Sequence, residues 1–439
     1  MRRLALALLA TAAFTQIASA ADMPVKAVKA TPVPTWNWTG FYVGGYVGVG
    51  VNRSHGYDPT DTEGSSDGAL NFLGTGFTGG ATGGYNWQFA PNWVAGIEGD
   101  IGYLGLSHDV QEYNDPDLRT NSKTSWIGTL RARFGYTNGP SLSYITGGAA
   151  WVNFDDVVSN LSGSTYVDSS KTKTGFAIGS GVETRLGGNW TAKSEFLYVD
   201  VGAGDVVTNP ANGFTVQEDQ HRYAMQRFGV NYLFNNGPQA PLPQHNWTGF
   251  YVGAVGGGAV TQTRLVAAPG DTTVGEFGNN GSGYTLGVLA GYNWQLAPAW
   301  VVGVEGDFSW LGINHSVDDY NDSLALYTLN TKWIGTARAR VGYSTGPALL
   351  YVTGGGAWVN YNESWDFGSG PVSSTKTLGG YTVGGGIEAM LGNGWTSRSE
   401  YLYVNVGNGD ALIDPSNTPI VANHQFHLFR SALVYPLGH

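Results

Sequence analysis

Residues 77–88 read Phe-Thr-Gly-Gly-Ala-Thr-Gly-Gly-Tyr-Asn-Trp-Gln. One alternate set, Phe77, Gly79, Ala81, Gly83, Tyr85 and Trp87, is apolar or glycine, and the other, Thr78, Gly80, Thr82, Gly84, Asn86 and Gln88, is polar or glycine. Side chains of a β-strand point alternately to its two faces, so the stretch is a strand with one apolar face. The same period returns where Trp126, Gly128, Leu130, Ala132, Phe134 and Tyr136 alternate with Ser125, Ile127, Thr129, Arg131, Arg133 and Gly135. Each segment is a weak signal, and its recurrence along the chain makes it decisive. The composition fits a sheet with an apolar side: 67 Gly, 24 Tyr, 18 Phe and 15 Trp accompany only 13 % charged residues. After the first twenty residues, nothing approaches the ~20 apolar residues of a transmembrane helix.

The chain repeats itself. Trp38-Thr39-Gly40-Phe41-Tyr42-Val43-Gly44 returns as Trp247-Thr248-Gly249-Phe250-Tyr251-Val252-Gly253. Tyr85-Asn86-Trp87-Gln88 returns as Tyr292-Asn293-Trp294-Gln295, Glu98-Gly99-Asp100 as Glu305-Gly306-Asp307, and Arg131-Ala132-Arg133 as Arg338-Ala339-Arg340. One unit has therefore been duplicated. Within it, short turn signals at Ala90-Pro91-Asn92, Gly139-Pro140 and Gly187-Gly188-Asn189 alternate with longer polar segments near 53–74, 108–121, 155–170 and 204–219. The second unit has its short turns at Ala297-Pro298-Ala299, Gly346-Pro347 and Gly392-Asn393-Gly394. The breaks predict eight strands per unit, with short turns at one end and long loops at the other, as in an antiparallel transmembrane β-barrel. Such a sheet must close, because lipid offers its edges no hydrogen-bond partner. Trp87, Trp93 and Trp190, with Trp294, Trp300 and Trp395, lie beside the turns and fit an aromatic girdle at the periplasmic interface.

The amino terminus reads as an address. Arg2 and Arg3 precede an apolar run ending at Ile17, and Ala18-Ser19-Ala20 supplies the small-residue cleavage pattern of a secretory signal peptide over 1–20. Loss of those two arginines takes the formal charge from −11 to −13, which makes nucleic acid an unsuitable partner. Cysteine is absent, so neither disulfides nor thiolate chemistry are available.

Charged residues within the strands are the nearest thing to a site. Glu98, Asp100, Glu183 and Glu195 stand against Arg131, Arg133, Arg185, Lys193 and Arg227 in the first unit. Glu305, Asp307, Glu388 and Glu400 stand against Arg338, Arg340, Arg398 and Arg430 in the second, where Met390 replaces Arg185. Pairs two apart on the face opposite Phe, Ile, Leu and Trp argue against a soluble lipocalin-like barrel, whose apolar face turns inward. In a narrow eight-stranded barrel these charges pair across the lumen and fill it. In a wider barrel they line a selective pore.

Two architectures follow: tandem eight-stranded barrels with a structural role and at most small passive permeability, or one sixteen-stranded barrel acting as a general porin for small hydrophilic solutes. The joint at 235–244, with Pro238, Pro241 and Pro243, reads as an extended linker reaching about 30 Å. It favours the tandem arrangement: signal peptide 1–20, flexible periplasmic segment 21–35, first barrel unit 36–234, linker 235–244 and second barrel unit 245–439.

Trp38 to Gly45, Gly84 to Trp87, Arg131 to Tyr136 and the strand Arg227-Phe228-Gly229-Val230-Asn231-Tyr232-Leu233-Phe234 resemble the porin-like surface-antigen β-barrels of alphaproteobacterial outer membranes. The resemblance covers nearly the whole mature chain, twice. It implies a surface-exposed barrel of a Gram-negative outer membrane, in contact with lipid and lipopolysaccharide and delivered by the barrel-insertion machinery, with structural and permeability roles and no catalysis. Phe228, Val230, Tyr232 and Phe234 fit the alternating terminal strand read by that machinery, but they are internal. At the true end Leu433, Tyr435 and Leu437 alternate, Pro436 interrupts, and Gly438-His439 trail. In some similar proteins an Ala-Asp start followed by a flexible segment is linked covalently to peptidoglycan, which makes Ala21, before Asp22, a candidate attachment point.

The long loops collect Asp58, Asp61, Glu63 and Asp67, then Asp109, Glu112, Asp115 and Asp117, then Asp318, Asp319 and Asp322. Without EF-hand spacing they read as a solvated surface and not as a metal site. His108 and His315 fall in equivalent loops, but the repeat singles out no nucleophile and base. The glycine runs lie on strands with no following helix, so they are not phosphate loops, and no cofactor is expected.

Overall fold

The computed structural model describes residues 36–57, 70–111, 118–160, 165–203, 206–208, 215–234, 240–267, 277–318, 325–367, 370–409, 412–413 and 419–437. The leader, residues 21–35 with Ala21, linker residues 235–239 and the end Gly438-His439 lie outside them. So do Asp58, Asp61, Glu63, Asp67, Glu112, Asp115, Asp117, Asp319 and Asp322, together with the side chains of His108, Asp109 and Asp318.

The first unit runs through β1 (Gly40–Tyr57), β2 (Leu70–Ala90), β3 (Trp93–Gln111), β4 (Leu118–Asn138), β5 (Ser141–Asn160), β6 (Thr165–Gly187), β7 (Trp190–Asp200), β8 (Val206–Thr208) and β9 (Thr215–Leu233). The second repeats it as β10 (Gly249–Ala267), β11 (Phe277–Ala297), β12 (Trp300–Asp318), β13 (Ala325–Ser344), β14 (Ala348–Phe367), β15 (Pro371–Gly392), β16 (Trp395–Asn408), β17 (Leu412–Ile413) and β18 (Pro419–Leu437). Each long strand pairs antiparallel with the next, and the short β8 and β17 are rungs laid beside β9 and β18. Eight long strands thus form each wall.

Ring closure decides the architecture. β1 pairs with β9 from Tyr42↔Leu233 upward, and β10 pairs with β18 from Phe250↔Leu437 upward. Each sheet is sealed by its own first and last long strands, so the sixteen-stranded barrel is overturned: β9 has spent both edges on β7 and β1 and has none left for β10. Pro436 does not end the last strand either, because β18 continues through the pair Tyr251↔Pro436 to Leu437. The turns explain the tight end of each barrel. Gly187 and Gly188 have φ of 120° and 54°, and at the matching turn Gly392, Asn393 and Gly394 have φ of 109°, 52° and 82°, a region that β-branched residues avoid.

The outward face carries Phe41, Val43, Ile97, Ile101, Leu130, Phe134 and Ile145, all exposed, and the girdle tryptophans Trp87, Trp93, Trp190, Trp294, Trp300 and Trp395 are exposed as well. Rings gather around these tryptophans: Trp93 stacks on Phe134 at 5.1 Å and meets Tyr136 edge-on at 5.5 Å.

The inward face is not uniformly polar. Toward the short turns it holds the charged residues. Toward the long loops it becomes an apolar layer of Leu104, Leu106, Ile127, Val152, Leu197 and Met225 in the first barrel, and of Leu311, Ile313, Val359, Leu402, Phe426 and Leu428 in the second. Strand parity also slips once in β4. A register shift between Thr124 and Trp126 leaves Thr124 and Ile127 both buried, so Ser125 does not share the inner face of Arg131. The second unit shifts at the equivalent place, between Thr331 and Trp333.

Because each ring is self-sealed, residues 36–234 alone are expected to refold in detergent into a heat-modifiable barrel that migrates faster unboiled than boiled on gel electrophoresis. Failure of that fragment where the full chain succeeds would contradict independent closure.

Candidate functional site

Space for the lumen networks comes from glycine opposite tyrosine. Tyr42 pairs with Gly84, Tyr144 with Gly181, Tyr251 with Gly291 and Tyr351 with Gly386. A Cβ on Gly84 would sit 2.5 Å from the Tyr42 hydroxyl, and one on Gly181 2.6 Å from that of Tyr144. Each ring therefore lies flat across its glycine and extends its hydroxyl to a carboxylate. Tyr42 donates to Glu98 at 2.8 Å, Tyr144 to Glu195 at 2.9 Å, Tyr251 to Glu305 at 2.9 Å and Tyr351 to Glu400 at 2.7 Å.

In the first barrel, Arg131 spans three carboxylates, 2.7 Å from Glu98, 2.7 Å from Asp100 and 3.1 Å from Glu195. Arg227 reaches across from β9 to Asp100 at 2.9 Å and to Glu195. Lys193 holds Glu98 at 2.8 Å, and Arg133 holds Glu183 at 2.7 Å. Thr129, Thr191 and Asn231 supply neutral donors, the first to Asp100 and the other two to Glu183. Every member is buried.

The second barrel repeats this core with one change of consequence. Arg338 touches Glu305, Asp307 and Glu400, and Arg430 spans Asp307 and Glu400. Where the first unit has Lys193, the second has Arg398, whose two terminal nitrogens reach Glu305 at 2.6 Å and Glu388 at 2.9 Å. The planar fork of the guanidinium extends to Glu388, whereas the point charge of Lys193 sits on Glu98 with Glu195 at 4.0 Å. Glu388 also accepts from Arg340 at 3.0 Å and from Thr396 at 2.7 Å. Four carboxylates thus face four cations in each network: Glu98, Asp100, Glu183 and Glu195 with Arg131, Arg133, Lys193 and Arg227, and Glu305, Asp307, Glu388 and Glu400 with Arg338, Arg340, Arg398 and Arg430.

Arg185 stands apart from the carboxylates. Its guanidinium donates to the Asn37 carbonyl at 2.6 Å and lies 4.9 Å over the Trp38 ring, closing the short-turn end of the first barrel. Met390 holds the matching position of the second unit, and a cleft in that unit is lined by His245, Trp247, Tyr251, Asn293, Glu388 and Thr396.

At the other end a second polar layer escaped sequence reasoning. His221 stacks on Phe154 at 4.3 Å in the first barrel. In the second, His424 lies between Glu363 at 2.9 Å and the Thr263 hydroxyl at 3.0 Å, with the Tyr361 ring at 4.6 Å. The repeat itself pointed to them, since His221 and His424 begin matching strand segments ahead of Arg227 and Arg430. His315 meets Arg53 of the other unit at 3.2 Å. Among the described residues, no group of three or more His, Asp or Glu is placed to hold a metal.

A family model described as outer membrane protein beta-barrel domain matches the chain twice, over residues 5–234 and 236–428. A 31 kDa outer-membrane immunogenic protein of Brucella melitensis is 36% identical over 238 residues, which cover 51% of this chain and 96% of the relative. A 22 kDa outer membrane protein of Rhizobium leguminosarum is 34% identical over 179 residues, 40% of this chain and 72% of the relative. Half of this chain therefore matches nearly the whole Brucella relative.

Replacing Arg227 by Met leaves Asp100 and Glu195 each short of a buried partner, and is expected to cost about 3–5 kcal/mol. Urea titration of heat-modifiability reads this as a lower midpoint. Replacing Arg185 by Met, the residue natural to the second unit, strands no carboxylate and should lower the midpoint by well under half as much.

Proposed function

This chain belongs to the outer membrane protein beta-barrel family and resides in the outer membrane, and from that premise we propose that it is a non-enzymatic, surface-exposed structural protein of the envelope with at most small passive permeability. The observation that carries this reading is the double filling of each lumen. An electroneutral, hydrogen-bonded ion network occupies one half, and an apolar side-chain layer occupies the other.

Both fillings oppose ion flow, for different reasons. A permeating ion would have to displace buried pairs such as Arg131 with Glu98, leaving charge uncompensated in a medium of low dielectric. Beyond them it would enter the layer around Leu197 and Met225, which offers no replacement for its hydration shell. In general porins, by contrast, a wider bore keeps the polar lining wet.

The partners proposed are those of a passive resident of this membrane. The exposed apolar belt of Ile97, Ile101, Leu130 and Ile145 meets lipid, and the loop ends meet lipopolysaccharide. The exposed alternation of Leu433, Tyr435 and Leu437 on β18 offers the insertion machinery an alternating apolar strand. Ala21 is proposed as the point of covalent attachment to peptidoglycan, a role tested by mass spectrometry of muramidase-digested envelopes. Free Ala21 alone in the digest would remove it.

Reconstituted into planar bilayers, the protein is expected to give no stable open level of porin size. Arg131→Ala together with Arg227→Ala, which vacate the centre of the first network, should raise the conductance if the double mutant still inserts. A large, steady conductance of the unaltered chain would overturn the structural reading.

A further inference from the structure

We propose that the two barrels form a single fused dimer within the membrane, held face to face by a buried polar seam, so that the Pro-rich joint is not what keeps them together. Equivalent strands meet, β2 with β11, β6 with β15, β7 with β16 and β9 with β18, and β15 also touches β4, β5 and β7 while β16 touches β6. Equivalent residues meet as well. Ser194 and Ser399, which hold the same place in Trp190-Thr191-Ala192-Lys193-Ser194 and Trp395-Thr396-Ser397-Arg398-Ser399, are joined by a hydrogen bond from the Ser194 hydroxyl to the Ser399 carbonyl at 3.3 Å. Val51 and its counterpart Val260 share one buried cluster with Phe196 and its counterpart Tyr401. Where like meets like, the interface approximates the self-complementary arrangement of a two-fold dimer.

Strand parity makes the seam informative. Because Arg227 and Glu195 point into the lumen, their neighbours Gln226 and Ser194 point out of the wall. An outward amide facing hydrocarbon would be left without hydrogen-bond partners, at a cost of several kcal/mol by order of magnitude. Gln226 is instead fully buried, and its amide nitrogen donates to Ser194 at 2.9 Å and to Ser399 at 3.0 Å. Two further hydroxyl pairs, between residues that are not counterparts, cross the joint: Ser143 with Ser397 at 2.6 Å, half-buried, and Ser180 with Ser431 at 3.3 Å at its exposed rim. Small residues let the walls approach: Ala192, Ala348 and Ala389 pack with Val182 and Ile387 in another buried cluster.

The seam also selects its occupant. The second-unit counterpart of Gln226 is Phe429, which packs on Phe196 at 5.3 Å and on Tyr401 at 5.4 Å. Two first units in the same pose would lack that aromatic contact, and two second units would lack the amide that joins the serines. The surface is self-complementary in outline and matched in detail to the other half of the same chain.

The chain contains no cysteine, so engineered pairs report without background. Ser143→Cys with Ser397→Cys, and separately Ser180→Cys with Ser431→Cys, are oxidised in intact outer membranes of full-length protein carrying a protease site inserted in 235–239. After cleavage, both pairs should keep the halves in one band until reduced. Without cysteines the cleaved halves should still co-purify in mild detergent. Gln226→Leu should reduce the co-purified partner about tenfold, while each half stays heat-modifiable. Cross-linking only between separate copies would assign the face to a second chain and overturn the proposal. Absence of cross-links with both barrels folded, or unchanged co-purification in Gln226→Leu, would also overturn it.

Discussion

Hydrocarbon offers a protein no hydrogen-bond partner, and every other feature of this chain follows from meeting that constraint. A wall of strands satisfies its backbone only if its first and last members find each other, which β1 with β9 and β10 with β18 achieve. Once each ring is sealed at eight long strands, its bore is too narrow to stay empty, and inward side chains must pack on one another. The filling of the lumen is thus a consequence of the closure number, not an additional design.

How the lumen is filled reflects the cost of burying charge. Carboxylates and cations balance four to four within each network, and threonine, tyrosine and asparagine donors supply further bonds that the ions do not. The glycine content has its physical reason here. A ring such as Tyr42 can reach Glu98 only by lying across a neighbour without a Cβ, so the tyrosine, the glycine and the glutamate form one unit of packing. Lys193 and Arg398 show how duplicated networks drift apart. The forked guanidinium of Arg398 serves both Glu305 and Glu388, whereas in the first barrel Glu183 turns to the Asn231 amide for the bond that Lys193 does not make. Arg185 and Met390 mark a second divergence, because the arginine caps the Asn37 carbonyl and the Trp38 ring and a thioether has no N–H to donate.

The same constraint operates between the barrels. A lipid-facing wall tolerates leucine and isoleucine anywhere, but the Gln226 amide has only Ser194 on its own wall and takes its second acceptor, Ser399, from the other. Polar atoms on the outside of a membrane barrel therefore mark a neighbour, as polar atoms on the inside mark a packed lumen or water.

The fold class and the strand faces were legible because a period of two and a repeated unit are local properties of the chain, visible at Phe77, Tyr85 and Trp87 without any contact map. So was the charge set, since Glu98, Asp100, Arg131 and Arg133 fall two apart on the face opposite the aromatics. Parity failed at Ser125, where a bulge, which no local pattern announces, inserts one residue and exchanges the faces. The apolar layer around Leu197 and Leu402 was hidden because an apolar residue reads alike whether it meets lipid or a narrow lumen. Sequence alone determined that the chain is a duplicated, membrane-spanning sheet with charges turned inward, since alternation and repetition are written residue by residue. Only tertiary structure decided that there are two rings, which carboxylate each arginine holds, and that Gln226 has a partner across the joint, because closure and pairing depend on residues far apart in the chain meeting in space.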